Sequence, residues 1–452
     1  MGMRLTSDCH VRTYAGDSLI WSLRRGCGLL VSNAELFIGL LRASGGVESE
    51  IERLAVLFEV PPSEIRHDFH AFCCELARAG MVEQGIGTDN PLPFVFAGQT
   101  TRTKEEGRIG HDHDLKASLP IAQFYGRHKL LSDLHIDLTD ACTEQCVHCY
   151  VPQGQHDFLS YGITEKVLRE FREQQGLTVQ LTGGECMLHP DFEKICRLCR
   201  ALDLNFVVMS NLTLCDENTV ALLKETNPQF VNVSLYSMDE AEHDAITQIP
   251  GSWRKTRAAI DRLQEEGVAV RLATPLLKLN QTAYPALKAF AKMRHVHLVP
   301  DCDIIPRCGG DCSNLNYTCS PEEVERVLSE DKAFWNRGYG DVQNFKPEDR
   351  VCDIGNLLSL NSKGLYYPCS GMQGYVLGDA GGVSLSEVWK GEKMVYLRNL
   401  RNKDFTACVA CTHRPYCKVC PAFNFNATGC LFDTLPEKCA LAAVKHRVYG
   451  EP

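Results

Sequence analysis

No stretch of this 452-residue chain is apolar for long enough to cross a bilayer, which argues against a helical membrane span. Residues 1–30 lack the uninterrupted apolar segment of a secretory signal, because Asp8, Arg12, Asp17 and Arg24 punctuate them. A basic excess is missing too. Lys and Arg number 47 against 57 Asp and Glu, and the net charge of -10 excludes a general nucleic-acid binder. There is no internal repeat and no low-complexity tract. What remains is a globular balance, 44% hydrophobic and 23% charged, in a chain long enough for two or three domains.

Against these absences stand 23 cysteines, an odd and very large number. Without an export signal the expected compartment is the reducing cytoplasm, where disulfides rarely persist. Cysteine at that density points to metal or cluster ligation rather than cross-linking.

Three blocks follow from composition and periodicity. Residues 1–99 predict a winged-helix-like domain: a strand-turn-strand over Val11 to Leu30 turning at Gly16-Asp17, then helices from Ala34, from Val47 to Phe58, and after Pro61-Pro62-Ser63. In the third helix Ile65, Phe69, Phe72 and Leu76 recur at helical spacing, and Gly80 ends it. A polar linker covers 100–130. From 131 to 330 strands and helices alternate. The strands are Leu134–Leu138, Thr178–Leu181, Phe206–Met209, Phe230–Leu235, Val268–Ala273 and His297–Val299. The helices are Lys166–Gln174, Phe192–Leu202, Thr219–Lys224, Trp253–Glu266 and Ala283–Met293. Six βα units predict an α/β fold, a partial (β/α)6 TIM-like barrel, with its site at the C-terminal ends of the strands. Residues 331–452 are cysteine-rich and irregular, a region that needs metal as a staple.

The strongest signal is Cys142-x3-Cys146-x2-Cys149, directly after the first barrel strand. Three thiolates on one short loop can hold three irons of a [4Fe–4S] cube and leave the fourth open to a small molecule. A zinc site is the alternative, but zinc takes four ligands and only His148 lies nearby. Thr182-Gly183-Gly184-Glu185 ends the second strand; its glycines permit close backbone approach and Glu185 offers an acceptor for an ammonium.

Together these residues resemble the radical S-adenosylmethionine (SAM) superfamily. The resemblance implies that the cluster on Cys142, Cys146 and Cys149 binds and cleaves SAM, and that Gly183, Gly184 and Glu185 hold its amino group. Ser210-Asn211 and Ser234, ending the third and fourth strands, correspond to positions near the ribose and carboxylate. The chain departs from the pattern in three places. His148 stands where an aromatic residue is usual, Ser234-Leu235-Tyr236 replaces Ser-Leu-Asp, and His243-Asp244 is followed by Thr247-Gln248 without the usual arginine. Arg271 on the fifth strand is the expected replacement cation.

In the last block, Cys352, Gly364-x4-Cys369, Cys408-x2-Cys411-x5-Cys417-x2-Cys420 and Cys439 resemble the SPASM extension of such enzymes, though the commoner form ends in x3-Cys. The resemblance implies two auxiliary [4Fe–4S] clusters, three clusters in all. One would use Cys408, Cys411, Cys417 and Cys439. The other would use Cys352, Cys369 and Cys420, with an open iron, or with Cys430 or Cys312 as closing ligand. Paired zinc ribbons are the alternative reading. Cys302, Cys308, Cys312 and Cys319 read mostly as structural, and Cys73, Cys74, Cys196 and Cys199 as buried hydrophobes on helices.

Most of residues 9 to 90 resemble the peptide-recognition element of ribosomal-peptide maturation systems, in which a sheet edge takes up a leader peptide as an added strand. An ordinary winged helix is the alternative; Arg24-Arg25 are basic, but there is no strong basic run. The three parts together imply a maturase of a ribosomally made peptide. The expected partners are a precursor peptide with a leader and an external flavodoxin- or ferredoxin-like electron donor, with no nucleic acid and no membrane. A thioether crosslink is the first choice of product. Carbon–carbon crosslinking, epimerisation, formylglycine-type maturation, or a non-enzymatic electron carrier are the alternatives.

Overall fold

The computed structural model describes residues 5, 9–22, 27–32, 35–42, 47–79, 81–82, 119–151, 156–339 and 346–450. The expected linker over 100–114, Arg24-Arg25 and Gly80 lie outside them. Contacts divide the chain into two units, residues 1–130 and 131–452.

In the first unit, β1 (Cys9–Tyr14), β2 (Asp17–Ser22) and β3 (Cys27–Ser32) form an antiparallel sheet in that order. The sequence predicts one hairpin there; the run from Val11 to Leu30 holds a third strand. Ala15 and Gly16, both at positive φ, make the β1–β2 turn, so Asp17 already belongs to β2. Helices α1 (Glu35–Arg42), α2 (Val47–Phe58) and α3 (Pro62–Arg78) follow. Ile65, Phe72 and Leu76 of α3 are buried, as its periodicity required, while Phe69 packs from the edge. Part of the expected linker is helical: α4 (Leu119–His128) packs on β2 and β3, and Arg127 and His128 both pair with the buried Asp17 carboxylate.

The second unit is built on a nine-stranded sheet. Six strands alternate with helices: β4 (Asp133–Thr139), β5 (Thr178–Gly183), β6 (Asn205–Ser210), β7 (Val231–Ser234), β8 (Val270–Pro275) and β9 (His297–Asp301), all parallel. The helices between them are α5 (Tyr161–Glu173), α6 (Phe192–Ala201), α7 (Glu217–Thr226), α8 (Glu240–Thr247), α9 (Ser252–Glu265) and α10 (Tyr284–Met293). Alternation along the strands explains the layering. Leu134, Ile136 and Leu138 of β4 are fully buried in one apolar core with Val167, Leu168 and Phe171 of α5. The opposite face is polar. His135 and Asp137 occupy it on β4, and the register sets Arg271 of β8 between Asn232 and His297.

Three further strands come from the cysteine-rich block: β10 (Leu357–Leu360), β11 (Leu365–Tyr367) and β12 (Gly378–Asp379). The sheet order is β12-β11-β10-β4-β5-β6-β7-β8-β9, with β10 parallel to β4. Ser132 Oγ adds a bond of 3.2 Å to the Asn356 carbonyl at the start of this pairing. The architecture is therefore an α/β partial barrel with a small antiparallel sheet domain before it and a cysteine-rich region after it. No helix among the described residues is long and apolar enough to cross a membrane.

Candidate active site

The loop after β4 carries Cys142, Cys146 and Cys149, and its neighbours fix it from several sides. The carbonyls of Thr247 and Ile246, at the C-terminal end of α8, accept from Gln145 N–H at 2.9 Å and Val147 N–H at 3.0 Å. Arg307 Nε donates to the Cys149 carbonyl at 3.0 Å, and Asn314 Nδ2 to that of His148 at 3.2 Å. The sulfurs have polar company. Cys142 Sγ accepts from Glu144 N–H at 3.4 Å and faces Asn211 Nδ2 at 3.7 Å. Cys146 Sγ lies 3.4 Å from Glu144 Oε2 and 3.5 Å from the Tyr236 hydroxyl. Burial pushes the Cys142 thiol up to about 12 and raises those of Cys146 and Cys149. Thiols bind iron as thiolates, so ligation releases their protons.

The glycine pair makes room for a close approach of backbone. Gly183 has a φ of +131°, and a Cβ there would lie 2.2 Å from the Thr139 carbonyl oxygen. A Cβ on Gly184 would lie 2.3 Å from the Ala141 carbonyl oxygen. The close neighbour is the backbone that leads into the cysteine loop. Gly184 N–H and Glu185 N–H bond to the Thr139 and Ala141 carbonyls at 2.7 and 2.8 Å.

The Glu185 side chain turns inward and is fully buried. Its oxygens accept from the Met187 N–H at 3.1 Å, the Asn211 N–H at 2.8 Å and the Ser210 hydroxyl at 2.9 Å. Burial raises its carboxyl, and those hydrogen bonds oppose the rise. Ser210 and Asn211 thus join Glu185 in tying the end of β5 to the end of β6, and Asn211 reaches on to Cys142. Ser234 ends β7 and bonds to the Tyr236 hydroxyl. Arg271 stands apart from this group. It is level with Asn232, two residues before Ser234, and its Nε donates to Asn232 Oδ1 at 2.9 Å. Its guanidinium lies 4.3 Å over Phe230, toward the N-terminal ends of the strands and away from the cysteines.

Two contributors were missed in the sequence. Tyr236, noted there only as a departure from Ser-Leu-Asp, packs its ring edge-on to His148 at 5.1 Å and tilted to His243 at 5.2 Å. Glu144, between two of the cysteines, is pushed up by burial to about 8. Asp244 acts on the site only through its charge, which adds to the rise of Glu144; its carboxylate caps the start of α9 through Gly251, Ser252 and Trp253.

The donor set fits a [4Fe–4S] cube with one open iron. Three thiols share one loop with no fourth cysteine on it, and Glu144 Oε1, His148 Nδ1 and His243 Nε2 are buried without a hydrogen-bond partner around them. Among the described residues no three Cys, His, Asp or Glu side chains converge on a single-ion site. A cube spreads its ligands wider than one ion does.

In the cysteine-rich region, Cys411 and Cys439 lie close enough to add to the rise that burial gives the Cys408 thiol, Cys411 does the same for Cys439, and Cys417 feels Cys408. The buried Arg414 sits among Cys417, Cys408 and Cys411 and donates to the Cys417 carbonyl. Cys369 follows β11, where the Tyr367 hydroxyl donates to Asp137 and Gln373 Nε2 does so at 3.0 Å. Tyr150, next to Cys149, bonds to Ser370, next to Cys369. Cys352 packs on the edge of the main core, and Cys420 precedes the helix α11 (Pro421–Thr428). Cys308 Sγ accepts from the backbone of Gly374 and Gln373. Cys302 and Cys319 pack in a small apolar cluster with Trp335. Cys73, Cys196 and Cys199 are buried as expected, whereas Cys74 is partly exposed beside His70.

A cysteine triad thus lies at the C-terminal edge of a parallel sheet, braced by a glycine turn. Residues 136–283 match the radical SAM superfamily, and residues 352–421 match the iron–sulfur cluster-binding domain SPASM. The chain thus carries a radical SAM domain followed by a SPASM domain. It is 28% identical over 147 residues to the antilisterial bacteriocin subtilosin biosynthesis protein AlbA of Bacillus subtilis, covering 32% of this chain and 33% of AlbA. The match spans only about a third of that relative. It is 23% identical over 334 residues to an AdoMet-dependent heme synthase of Methanosarcina barkeri, covering 65% of this chain and 92% of the synthase. In structure it is similar to Streptococcus suis SuiB bound to S-adenosylmethionine, with a TM-score of 0.62, 15% identity, and coverage of 96% of this chain and 99% of SuiB. At that identity the likeness is one of fold.

Proposed function

We propose that the chain is a maturase of a ribosomally synthesised peptide, and that it forms an intrapeptide crosslink, a thioether first. The observation that carries this is the joining of a small antiparallel sheet unit to a radical SAM barrel and a SPASM region. SuiB, similar along 96% of this chain, has also been solved bound to its precursor peptide SuiA, and AlbA serves bacteriocin biosynthesis. In this reading residues 1–99 take up the leader, 131–330 perform the radical chemistry, and 331–452 hold the auxiliary clusters. The molecule works in the cytoplasm with a small external electron donor.

Cys142, Cys146 and Cys149 would hold a cluster that, with SAM bound, would supply the 5′-deoxyadenosyl radical chemistry. The chain's own residues shape its surroundings. Glu185, Ser210 and Asn211 lock the strand ends, and Gly183, Gly184 and Glu185 would hold the SAM amino group. Ser234, His148 and Tyr236 line the approach beside Cys146. Arg271 is the proposed partner of the SAM carboxylate, for which its guanidinium must leave Phe230 and swing toward Ser234. Arg271→Ala is then expected to weaken SAM binding by about tenfold or more, as loss of a charged hydrogen bond does. An unchanged affinity, read by equilibrium dialysis, assigns the carboxylate to another group.

Thioether formation replaces one C–H and one S–H by a C–S bond. One hydrogen atom leaves with 5′-deoxyadenosine, and one proton and one electron leave separately. An electron acceptor is what auxiliary clusters on Cys352, Cys369 and Cys420, and on Cys408, Cys411, Cys417 and Cys439, would supply. The test is anaerobic reaction with a short peptide encoded beside the gene. A thioether makes the product two hydrogens lighter and hides one cysteine from alkylation. A carbon–carbon link gives the same mass with the thiol still reactive. Epimerisation leaves the mass unchanged, and no change of any kind in such a peptide would count against peptide maturation.

A further inference from the structure

A buried ion pair lies among the cysteines of the last block. Lys438 precedes Cys439 in the helix α12 (Pro436–Tyr449). Its Nζ lies 2.8 Å from Asp303 Oδ1, with the two side chains only 15% and 17% exposed, and 4.5 Å over the Phe423 ring. Asp303 is raised by burial, but Lys438, Lys445 and Lys418 more than reverse this and hold it below the carboxylate range. Burial raises the thiols of Cys417 and Cys420, and Lys438 opposes the rise in both. Cys420 Sγ also accepts from the backbone N–H groups of Ala422 and Phe423 in the first turn of α11. The ammonium therefore acts on two sulfurs that the cluster reading assigns to two different auxiliary clusters.

Folding stability is a weak reason for this arrangement. A buried ion pair is often matched or bettered by apolar residues of the same volume. Thiolate-ligated iron–sulfur clusters are anionic, and nearby charge sets their reduction potentials. A fixed cation favours the reduced, more negative form, and a fixed anion disfavours it.

We propose that Lys438 and Asp303 are opposed charges that set the reduction potentials of the auxiliary clusters held through Cys417 and Cys420. The proposal rests on those cysteines being cluster ligands. Neither residue ligates iron or touches substrate; both are positioning residues acting through the field.

The experiment is a redox titration of the reconstituted full-length chain, followed by electron paramagnetic resonance, with iron content measured alongside. The signals that persist in the Cys142/Cys146/Cys149→Ala variant identify the auxiliary clusters. Lys438→Met is expected to shift their potentials downward, Asp303→Asn upward, and Lys438→Arg to stay near the parent. A role in packing alone would not give shifts of opposite sign. Unmoved potentials, or shifts of one sign in both variants, with iron content retained, would overturn the inference. The isosteric Asp303→Asn keeps the test decisive should Lys438→Met lose iron. A parent chain holding iron for a single cube would instead overturn the cluster assignment, and this inference with it.

Discussion

The protein reconstituted and reduced without oxygen is expected to convert SAM to 5′-deoxyadenosine, and the Cys142/Cys146/Cys149→Ala variant to form none. This is the largest effect available, because the loop places its three thiols beside the Gly183–Glu185 turn, and the variant leaves no thiolate on that loop to bind iron. The iron count adds an independent reading. The three cubes proposed would give about twelve irons per chain and the variant about eight, so on that assignment iron should fall by a third while activity falls to nothing. The remaining iron would show that the auxiliary sites assemble without the first. Mass spectrometry of the small-molecule fraction and colorimetric iron analysis check both. Persistent 5′-deoxyadenosine from the variant would remove the loop from the chemistry.

The second large effect concerns the turn that braces the loop. Gly183→Ala places a methyl 2.2 Å from a carbonyl oxygen at a φ of +131°, and Gly184→Ala places one 2.3 Å from another. In both cases the obstacle is backbone, which cannot rotate away as a side chain would. Each substitution is expected to destabilise the fold by about 3 kcal/mol or more, in the range of strained or overpacked sites, and to strip iron from the adjacent loop. Gly162→Ala is the matched control. That glycine lies in the first turn of α5, where an added methyl would meet nothing within 4 Å, and alanine there is expected to leave stability within about 0.5 kcal/mol of the parent. Thermal unfolding midpoints and bound iron, measured on all three, separate a local clash from a general intolerance of added methyl groups.

Much of the barrel was legible because its signals are local. Strand-like runs three to six residues long, the first five each followed by a helical stripe, mark β4 to β9 and five of the six helices between them. The missed one, α8, is short and buries only His243, Ile246 and Thr247, too few to show a stripe. Strands β10 to β12 carried no such signal. They are two to four residues long, and the pairing that defines β10 is with β4, far away in sequence. At the site, the cysteine spacing and the Gly-Gly pair were visible as types at positions. What they touch was not. The glycines meet the loop backbone, Glu185 faces inward, and the Tyr236 hydroxyl arrives beside Cys146 from a strand end ninety residues on, contacts that exist only once the sheet has formed.

The pairing of β10 with β4 also bears on how the molecule is made. Ser132 and Asn356, which meet where the two strands begin, are 224 residues apart. As the chain leaves the ribosome, β4 can join β5 early, but its other side stays an unpaired edge until β10 emerges. Long-range pairing of this kind folds slowly, and an open edge invites pairing with other chains. The strand that delivers the cysteine loop is therefore the last of the barrel strands to be fully enclosed. A chain cut before residue 357 would leave it permanently open, so the barrel produced alone is expected to aggregate where the full chain does not.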